Sequence, residues 1–393
     1  MPKLIRITTV PISLQVLLKG QMKFMQQQGF EVIMLSSDGP EVKELEKQEQ
    51  CKHIVVPFTR KISPLQDFIC LIKLVGLFRK IKPDIVHTHT PKAGLIGMLA
   101  ARLAFVPVRL HTVAGLPWME TKGTMRKLLR LMEKLTAGCA HRIYPNSFML
   151  RDFLTQQKIA TGKMKVLGNG SSNGIDCNIF SVNPGIKATT TQLRANEKIS
   201  SDAWVWIFVG RLVKDKGIGE LLDAFQVVNE KFPGDRLWLL GEEEPALDPL
   251  DAKHIEILHS HSQVRCWGFI KDIKPYLAAA QVLAFPSYRE GFPNVPLQAG
   301  SMGCMLLLSD INGCNEIVHH GINGLLVPPK STDQLTKAML SIRLDPVKRS
   351  EYADAIRKHI LANYDQQKLW HTLLKEYTAW LTEKRLPTIL LRE

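Results

Sequence analysis

The chain has 393 residues, 45% hydrophobic and 22% charged, a globular composition too long for one ordinary core. No run of eighteen apolar residues lacks a charge. The two best stretches, 68–78 and 94–108, contain Lys73 and Arg102, which argues against a membrane-spanning helix. The net charge of +14 is unevenly placed: residues 1–176 hold 26 Lys+Arg against 12 Asp+Glu, whereas 177–393 hold 25 of each. The first half is therefore expected to be drawn to something anionic: a membrane surface, a pyrophosphate-linked substrate or nucleic acid. The seven cysteines (51, 70, 139, 177, 266, 304 and 314) are scattered and form no C-x-x-C. They read as thiols in a reducing compartment, and the first residues run into a strand with no signal-peptide pattern. A cytoplasmic protein is expected.

Residues 4–10 read as a first strand, 14–28 as one helix stopped by Gly29, and 30–36 as a second strand. That βαβ opening belongs to doubly wound folds. Its first turn holds Pro11-Ile12-Ser13 and no G-x-G-x-x-G, which weighs against a dehydrogenase. A third strand is expected at 54–57. An amphipathic helix follows at 65–80, with a basic end at Arg79, Lys80 and Lys82.

The phrase 83–94 then reads as strand, polar loop and helix start. His87 and His89 point the same way on a strand, but no acid or cysteine stands nearby to complete a metal site. Thr90 and Lys92 beside the helix start look able to meet an acceptor's phosphate. The strand 108–113 ends in Ala114-Gly115-Leu116-Pro117, and its His111 reads as a packed residue. Residues 122–138 form a basic amphipathic helix. It is either a solvated face over the core or a helix lying on an anionic membrane, where each Lys or Arg adds roughly 1 kcal/mol. A short strand and helix follow from 142. The small, turn-forming residues of 165–176 mark an interdomain crossing.

In the second half, 183–200 reads as a surface loop and 204–210 as a buried strand. Arg211 and Lys216 come next, and a glycine turn would bring these two cations towards a shared anion, one as a planar fork and one as a point charge. Strands are expected at 237–241, 264–269, 281–285 and 305–310. After 281–285 the chain turns through Glu290-Gly291-Phe292-Pro293 and opens a helix near Asn294. The unpaired amides of such a helix start favour an anion, and the glycine permits close approach. Glu290 could accept hydrogen bonds from a polyol. By spacing alone the same stretch also fits an ordinary strand-turn-helix with a surface glutamate, and the two cations fit a solvated surface. Residues 313–329 close the sheet, and helices are expected around 350–361 and 366–383.

Four phrases in order, 87–94, 173–176, 210–217 and 290–298, resemble glycosyltransferase family 4, whose members have the GT-B fold and retain anomeric configuration. The phrase 87–94 resembles the branch that builds capsules, O-antigens and related surface polysaccharides, and the resemblance covers nearly the whole chain. It implies an α/β protein of two Rossmann-like domains facing a cleft: 1–176 for the acceptor and membrane, 177–365 for the nucleotide-sugar, and 366–393 as a helix packing back on the first domain. It further implies that Arg211 and Lys216 hold the donor's diphosphate, and that Glu290 binds the donor sugar. Gly210, Gly268, Phe269, Gly291, Phe292, Asn294 and Val295 complete the donor site, with Gly268 and Phe269 near the base. Thr90, Lys92 and Gly115 meet the acceptor.

This sequence departs from the family pattern in three places. Gln298 replaces the second acid of the E-x7-E signature, associated with the ribose. Ala114 replaces a strand-end histidine that faces the reacting sugar. Pro11-Ile12-Ser13 replaces a glycine pair.

The expected reaction moves a sugar from a nucleotide donor, expected to be UDP-linked, to a lipid-linked or saccharide acceptor. With no Asp-x-Asp, no metal or other cofactor is expected. The expected partners are the donor, the acceptor and an anionic membrane surface, with no nucleic acid. Two other classes carry different signatures. A GT-B nucleotide-sugar epimerase would turn over its donor without an acceptor. A basic nucleic-acid binder would account for the charge but not for the second half.

Overall fold

The computed structural model describes residues 1–60, 63–119, 121–246 and 248–389. Strand and helix alternate along most of this chain, and a strand that returns through a helix pairs parallel to its predecessor. The strands are short apolar runs buried on both faces, as parallel sheets require. Two units result, Met1–Asn173 with Gln366–Glu393, and Gly174–Asp365.

The first unit runs β1 (Lys3–Ile7), α1 (Pro11–Leu17), α2 (Gln21–Gln27), β2 (Glu31–Ser36), α3 (Val42–Glu49), β3 (Lys52–Val55), α4 (Pro64–Ile81), β4 (Ile85–Thr88), α5 (Pro91–Leu103), β5 (Val108–Val113), α6 (Gly123–Cys139), β6 (Arg142–Pro145) and α7 (Phe148–Gln156). Its sheet has the order β3-β2-β1-β4-β5-β6, all parallel. One face carries Ile5, Ile7, Val86 and Val113 against α4 and α5 residues such as Leu74, Phe78 and Ile96. The other carries Leu4, Val32, Ile85 and Leu110.

The second unit runs α8 (Pro184–Asn196), β7 (Val205–Val209), α9 (Ile218–Lys231), β8 (Arg236–Leu240), α10 (Ala252–Ser260), β9 (Val264–Gly268), α11 (Lys274–Ala279), β10 (Val282–Phe285), α12 (Asn294–Ser301), β11 (Met305–Ser309), α13 (Cys314–Ile317), β12 (Leu325–Val327), α14 (Thr332–Leu344) and α15 (Pro346–Asn363). Its parallel sheet has the order β12-β11-β10-β7-β8-β9. Asp235, fully buried, ties this unit together. It accepts hydrogen bonds from the Trp204 amide at 2.9 Å and the Trp206 indole at 3.1 Å, and pairs with Arg343 at 2.8 Å.

The last helix, α16 (Gln366–Glu383), belongs to the first unit. Trp370, Leu373, Leu374, Tyr377 and Leu381 fall on one helical stripe and bury on the face of β1, β4 and β5.

Three expectations needed correction. The helix expected over 14–28 is two helices, broken at Gly20, whose φ is +84°. A Cβ there would lie 2.6 Å from the Trp370 ring, so the break is set by packing from the far end of the chain. The third strand lies two residues earlier than its apolar run, because Lys52 and His53 pair with Ile33 and Met34. The loop expected over 183–200 contains α8. Asn183 caps it by accepting from the Ile186 amide at 2.9 Å, Pro184 fits its first turn, and Ile186 and Leu193 pack against the core. Its threonine-rich surface concealed that two-residue stripe.

Among the described residues no helix is long and apolar enough to cross a membrane. The helix α6 presents Met125, Leu128, Leu131 and Leu135 to solvent while burying Glu133, Thr136 and Ala137. Burial pushes the Glu133 carboxyl up to about 7. Its folded-state value lies above the unfolded one, so the folded protein holds the proton more tightly. Its contribution to stability is then present at pH 4–5 and lost as pH rises through 7. Glu133→Gln is expected to raise Tm at pH 8 and leave it nearly unchanged at pH 5, read by thermal unfolding at both pH values.

Candidate functional site

In the second unit, strand order reverses between β7 and β10: the chain after β7 leads to β8 on one side, and the chain after β10 to β11 on the other. The carboxyl ends of two such strands open a crevice in parallel sheets. The loop after β7 carries Arg211 and ends in a 3-10 turn, Lys214–Lys216, before Gly217 starts α9 with φ +69°. A Cβ on Gly217 would lie 2.2 Å from the Pro286 carbonyl oxygen. The two loops therefore touch backbone to backbone, and only glycine fits that contact.

This approach brings Lys216 onto Glu290. Lys216 Nζ lies 2.6 Å from Glu290 Oε1, and both side chains are mostly buried. The Ser287 hydroxyl donates to the same oxygen at 2.9 Å. Asn312, in the turn after β11, donates to the carbonyl oxygens of Glu290 and Gly291 and so fixes the backbone beneath the carboxylate. Arg211 is half-exposed and pairs through Nη1 with Glu244 Oε2 at 2.9 Å. Both cations named from sequence thus hold carboxylates in this structure.

Helix α12 starts at Asn294 after Pro293, with no side chain capping it. Asn294 and Val295 are half-buried at that start, as is Gln298 one turn on. Gly268 ends β9 with φ +64°, and its carbonyl accepts from the Gly241 amide at 2.8 Å. Gly241 in turn approaches Gly210, whose oxygen a Cβ at 241 would meet at 1.8 Å. Phe269 is exposed beside Gly268, whereas the Phe292 ring is buried against Tyr364 at 5.5 Å. Phe292 is a core residue, and its backbone alone is left for a ligand.

Sequence reasoning passed over several supports of this site. Asp215 pairs with Arg289 at 2.9 Å and accepts from the Tyr288 amide at 2.8 Å, a second link between the same two loops. Asp248 accepts from the Asp215 amide at 2.6 Å. An acid standing between Lys214 and Lys216 was a visible signal for Asp215. Glu244 had none, being one of three consecutive glutamates.

In the first unit, the Thr90 hydroxyl lies 2.7 Å from that of Thr9 and accepts from the Thr9 amide at 2.9 Å. Lys92 pairs with Asp67 at 2.8 Å and donates to Thr59 at the same distance. Their expected anion thus competes with partners the protein supplies. Gly115 has open space where a Cβ would be. His111 is packed as read, with Nδ1 on the Thr88 hydroxyl at 2.8 Å, and burial lowers its pKa to about 4. His87 and His89 are buried with their ring centroids 4.3 Å apart and tilted by 31°, and burial holds both well below the usual histidine range. Among the described residues no group of three or more His, Cys, Asp or Glu is placed to hold a metal ion.

A family model described as Glycosyltransferase Family 4 matches residues 15–172, and one described as Glycosyl transferases group 1 matches 203–345. The chain is 31% identical over 383 residues to the capsular polysaccharide biosynthesis glycosyltransferase CapM of Staphylococcus aureus, covering 97% of this chain and 98% of that one. The chain belongs to glycosyltransferase family 4. A second relative, at 30% identity and 73% coverage of each chain, is the UDP-Gal:alpha-D-GlcNAc-diphosphoundecaprenol alpha-1,3-galactosyltransferase of Escherichia coli. The crystal structure of Anabaena Alr3699/HepE in complex with UDP and glucose superposes with a TM-score of 0.80 over 96% of this chain and all of that one, at 19% identity. The fold is GT-B, and this family 4 chain is a glycosyltransferase of the kind found in capsule and surface-polysaccharide biosynthesis.

The loop contact at Gly217 is a sharp test of the site's architecture in this glycosyltransferase. Gly217→Ala adds a positive-φ penalty of about 1–2 kcal/mol and a clash with backbone that cannot swing away. Gly303→Ala has φ +92° and open space, so it carries the backbone penalty alone. Urea unfolding is expected to show Gly217→Ala as the more destabilised by more than about 1 kcal/mol. Equal losses would mean that the two loops do not meet at Gly217.

Proposed function

We propose that this enzyme transfers a sugar from a UDP-linked donor to a lipid-linked acceptor, with retention of anomeric configuration and without a metal. The observation that carries the reading is the convergence of Lys216, Glu290 and the uncapped start of α12 at the β7/β10 reversal, with Arg211 on the same loop as Lys216. Two cations and helix amides supply what a leaving diphosphate needs, charge neutralisation and hydrogen bonds. The E. coli relative's name specifies UDP-Gal and a diphosphoundecaprenol acceptor, which supports a uridine donor and a polyprenyl-diphosphate acceptor here.

In the proposed step the bond between the anomeric carbon and the diphosphate oxygen breaks, and its electron pair leaves with the phosphate. Arg211 and Lys216 stabilise that charge. The acceptor hydroxyl oxygen bonds the anomeric carbon on the face the phosphate leaves, and its proton passes to the departing phosphate. Glu290 is held through Oε1 by Lys216 and Ser287, while its Oε2 takes no hydrogen bond among the described residues. That oxygen is suited to donor-sugar hydroxyls. Gln298 would meet the ribose, and the segment at Gly268 and Phe269 the base.

The first unit is proposed to rest on an anionic membrane. The exposed apolar stripe of α6 is flanked by Lys122, Arg126, Lys127, Arg130 and Lys134, the pattern of a helix lying in a lipid interface. Exposed Leu65, Phe68 and Ile72 on α4 add apolar surface on the same unit.

Metal-free calorimetry tests the donor site. Wild type is expected to bind UDP, and Arg211→Ala with Lys216→Ala to weaken binding roughly 100-fold or more, each lost charged contact being worth about 1.5–3 kcal/mol. Glu244→Gln, which frees Arg211 of its resident carboxylate, is expected to tighten UDP binding a few-fold. Unchanged affinity in the double variant would refute the diphosphate placement. Vesicle sedimentation tests the membrane contact. Binding to vesicles containing phosphatidylglycerol, weak on phosphatidylcholine alone and lost in Leu128→Asp with Leu131→Asp, is expected. Equal binding to both vesicle types would exclude the electrostatic part.

A further inference from the structure

Arg6 is fully buried in the middle strand of the first unit's sheet, yet no carboxylate hydrogen-bonds to it among the described residues. Its three partners are neutral: Nε donates to His89 Nε2 at 3.0 Å, Nη1 to the Tyr377 hydroxyl at 2.9 Å, and Nη2 to Gln21 Oε1 at 2.6 Å. Glu49 acts on Arg6 through its charge, but its oxygens accept from the Gly20 and Lys23 amides. An isolated buried cation costs several kcal/mol unless something compensates it.

The hydrogen bonds determine where protons sit. His89 Nε2 accepts from Arg6, so in the neutral ring Nδ1 carries the hydrogen, and that Nδ1 is buried with no partner. The Tyr377 hydroxyl accepts from Arg6 and lies 2.6 Å from His87 Nδ1, and the Thr112 hydroxyl lies 2.8 Å from His87 Nε2. Whichever ring nitrogen carries the hydrogen, these two bonds use two of the three hydrogens present and leave one hydroxyl hydrogen without an acceptor among the described side chains. Two of the five Arg6 N–H groups are likewise left over. One unpartnered buried acceptor, Asn146 Oδ1, stands against these four donors. Arg6, His87, His89, Thr112 and Asn146 all line one cavity of about 20 Å³, room for a body the size of a single water.

We propose that this cavity is a binding site for a small monovalent anion, of which chloride is the prototype, held by Arg6 and His89. A donor-rich, positively charged pocket calls for an occupant that accepts hydrogen bonds and carries negative charge. Water meets the first need only. The site also bears on the end of the unit. Gln21, held by Arg6, donates from Nε2 to the Ser172 carbonyl and to Asn173 Oδ1 at 2.8 Å each, and the Trp370 indole donates to the same Asn173 oxygen at 2.8 Å. Asn173 and Gln366 are where the chain leaves the first unit and returns to it. An anion on Arg6 thus stiffens both crossings through one shared side chain.

Crystals of the full chain, soaked in bromide in place of chloride, provide the test. An anomalous bromide peak in the cavity, within hydrogen-bonding reach of Arg6 and His89, is expected. Thermal unfolding at constant ionic strength is expected to show Tm rising and saturating as chloride replaces gluconate, as mass-action linkage requires. His89→Phe should abolish that rise. Density without anomalous signal would mean a water and overturn the proposal, as would a Tm indifferent to the anion in wild type. The crystallographic arm stands even where the variant does not fold.

Discussion

The ion pair between Lys216 and Glu290 is the contact on which the second unit's candidate site is built. It joins loops 74 residues apart in sequence, and it forms because β7 and β10 are neighbours at the point where strand order reverses. The pair is too enclosed to be an ordinary surface bridge, whose worth is at most about 1 kcal/mol. Its energy rests on the support around it: Gly217 pressed against Pro286, Asp215 gripping Arg289 and the Tyr288 amide, and Asn312 holding two carbonyls from below. Such a shell keeps a carboxylate and a cation in place before a ligand arrives, which is the condition for electrostatic stabilisation without reorganisation.

The first unit places its polar investment elsewhere. Its sheet carries Arg6 and His87 on one face, and α16 answers both with the Tyr377 hydroxyl, 371 residues after Arg6 and 290 after His87. The apolar stripe of α16 explains why the helix docks, and the polar contacts explain why it docks in one register. The same helix breaks α1 from α2, since Trp370 fills the space in which a side chain at residue 20 would sit. The unit's excess of positive charge is divided between its helices, α6 above all, and the loops and strands between them.

The candidate site was legible in sequence to an uneven degree. Arg211, Lys216 and Glu290 stood out because cations after a buried strand, and an acid before a helix start, are patterns with a local physical meaning. Glu244 and Asn312 did not, because their roles exist only across space. The burial of the Phe292 ring was equally hidden from sequence, because the Tyr364 ring that covers it lies 72 residues away. Lys92 showed the converse, a conspicuous cation whose counter-ion, Asp67, sits on the preceding helix.

The alternation of apolar runs with helical stripes determined, from sequence alone, a doubly wound opening and a strand–helix alternation continued through the second half, because both periodicities are written in neighbouring residues. It also determined where strands end and loops with charge begin. Only the tertiary structure decided which loops meet, which cations already hold carboxylates, and where a buried guanidinium lacks one. Strand order and helix docking are settled by packing between residues far apart in the chain, and no local pattern records that choice.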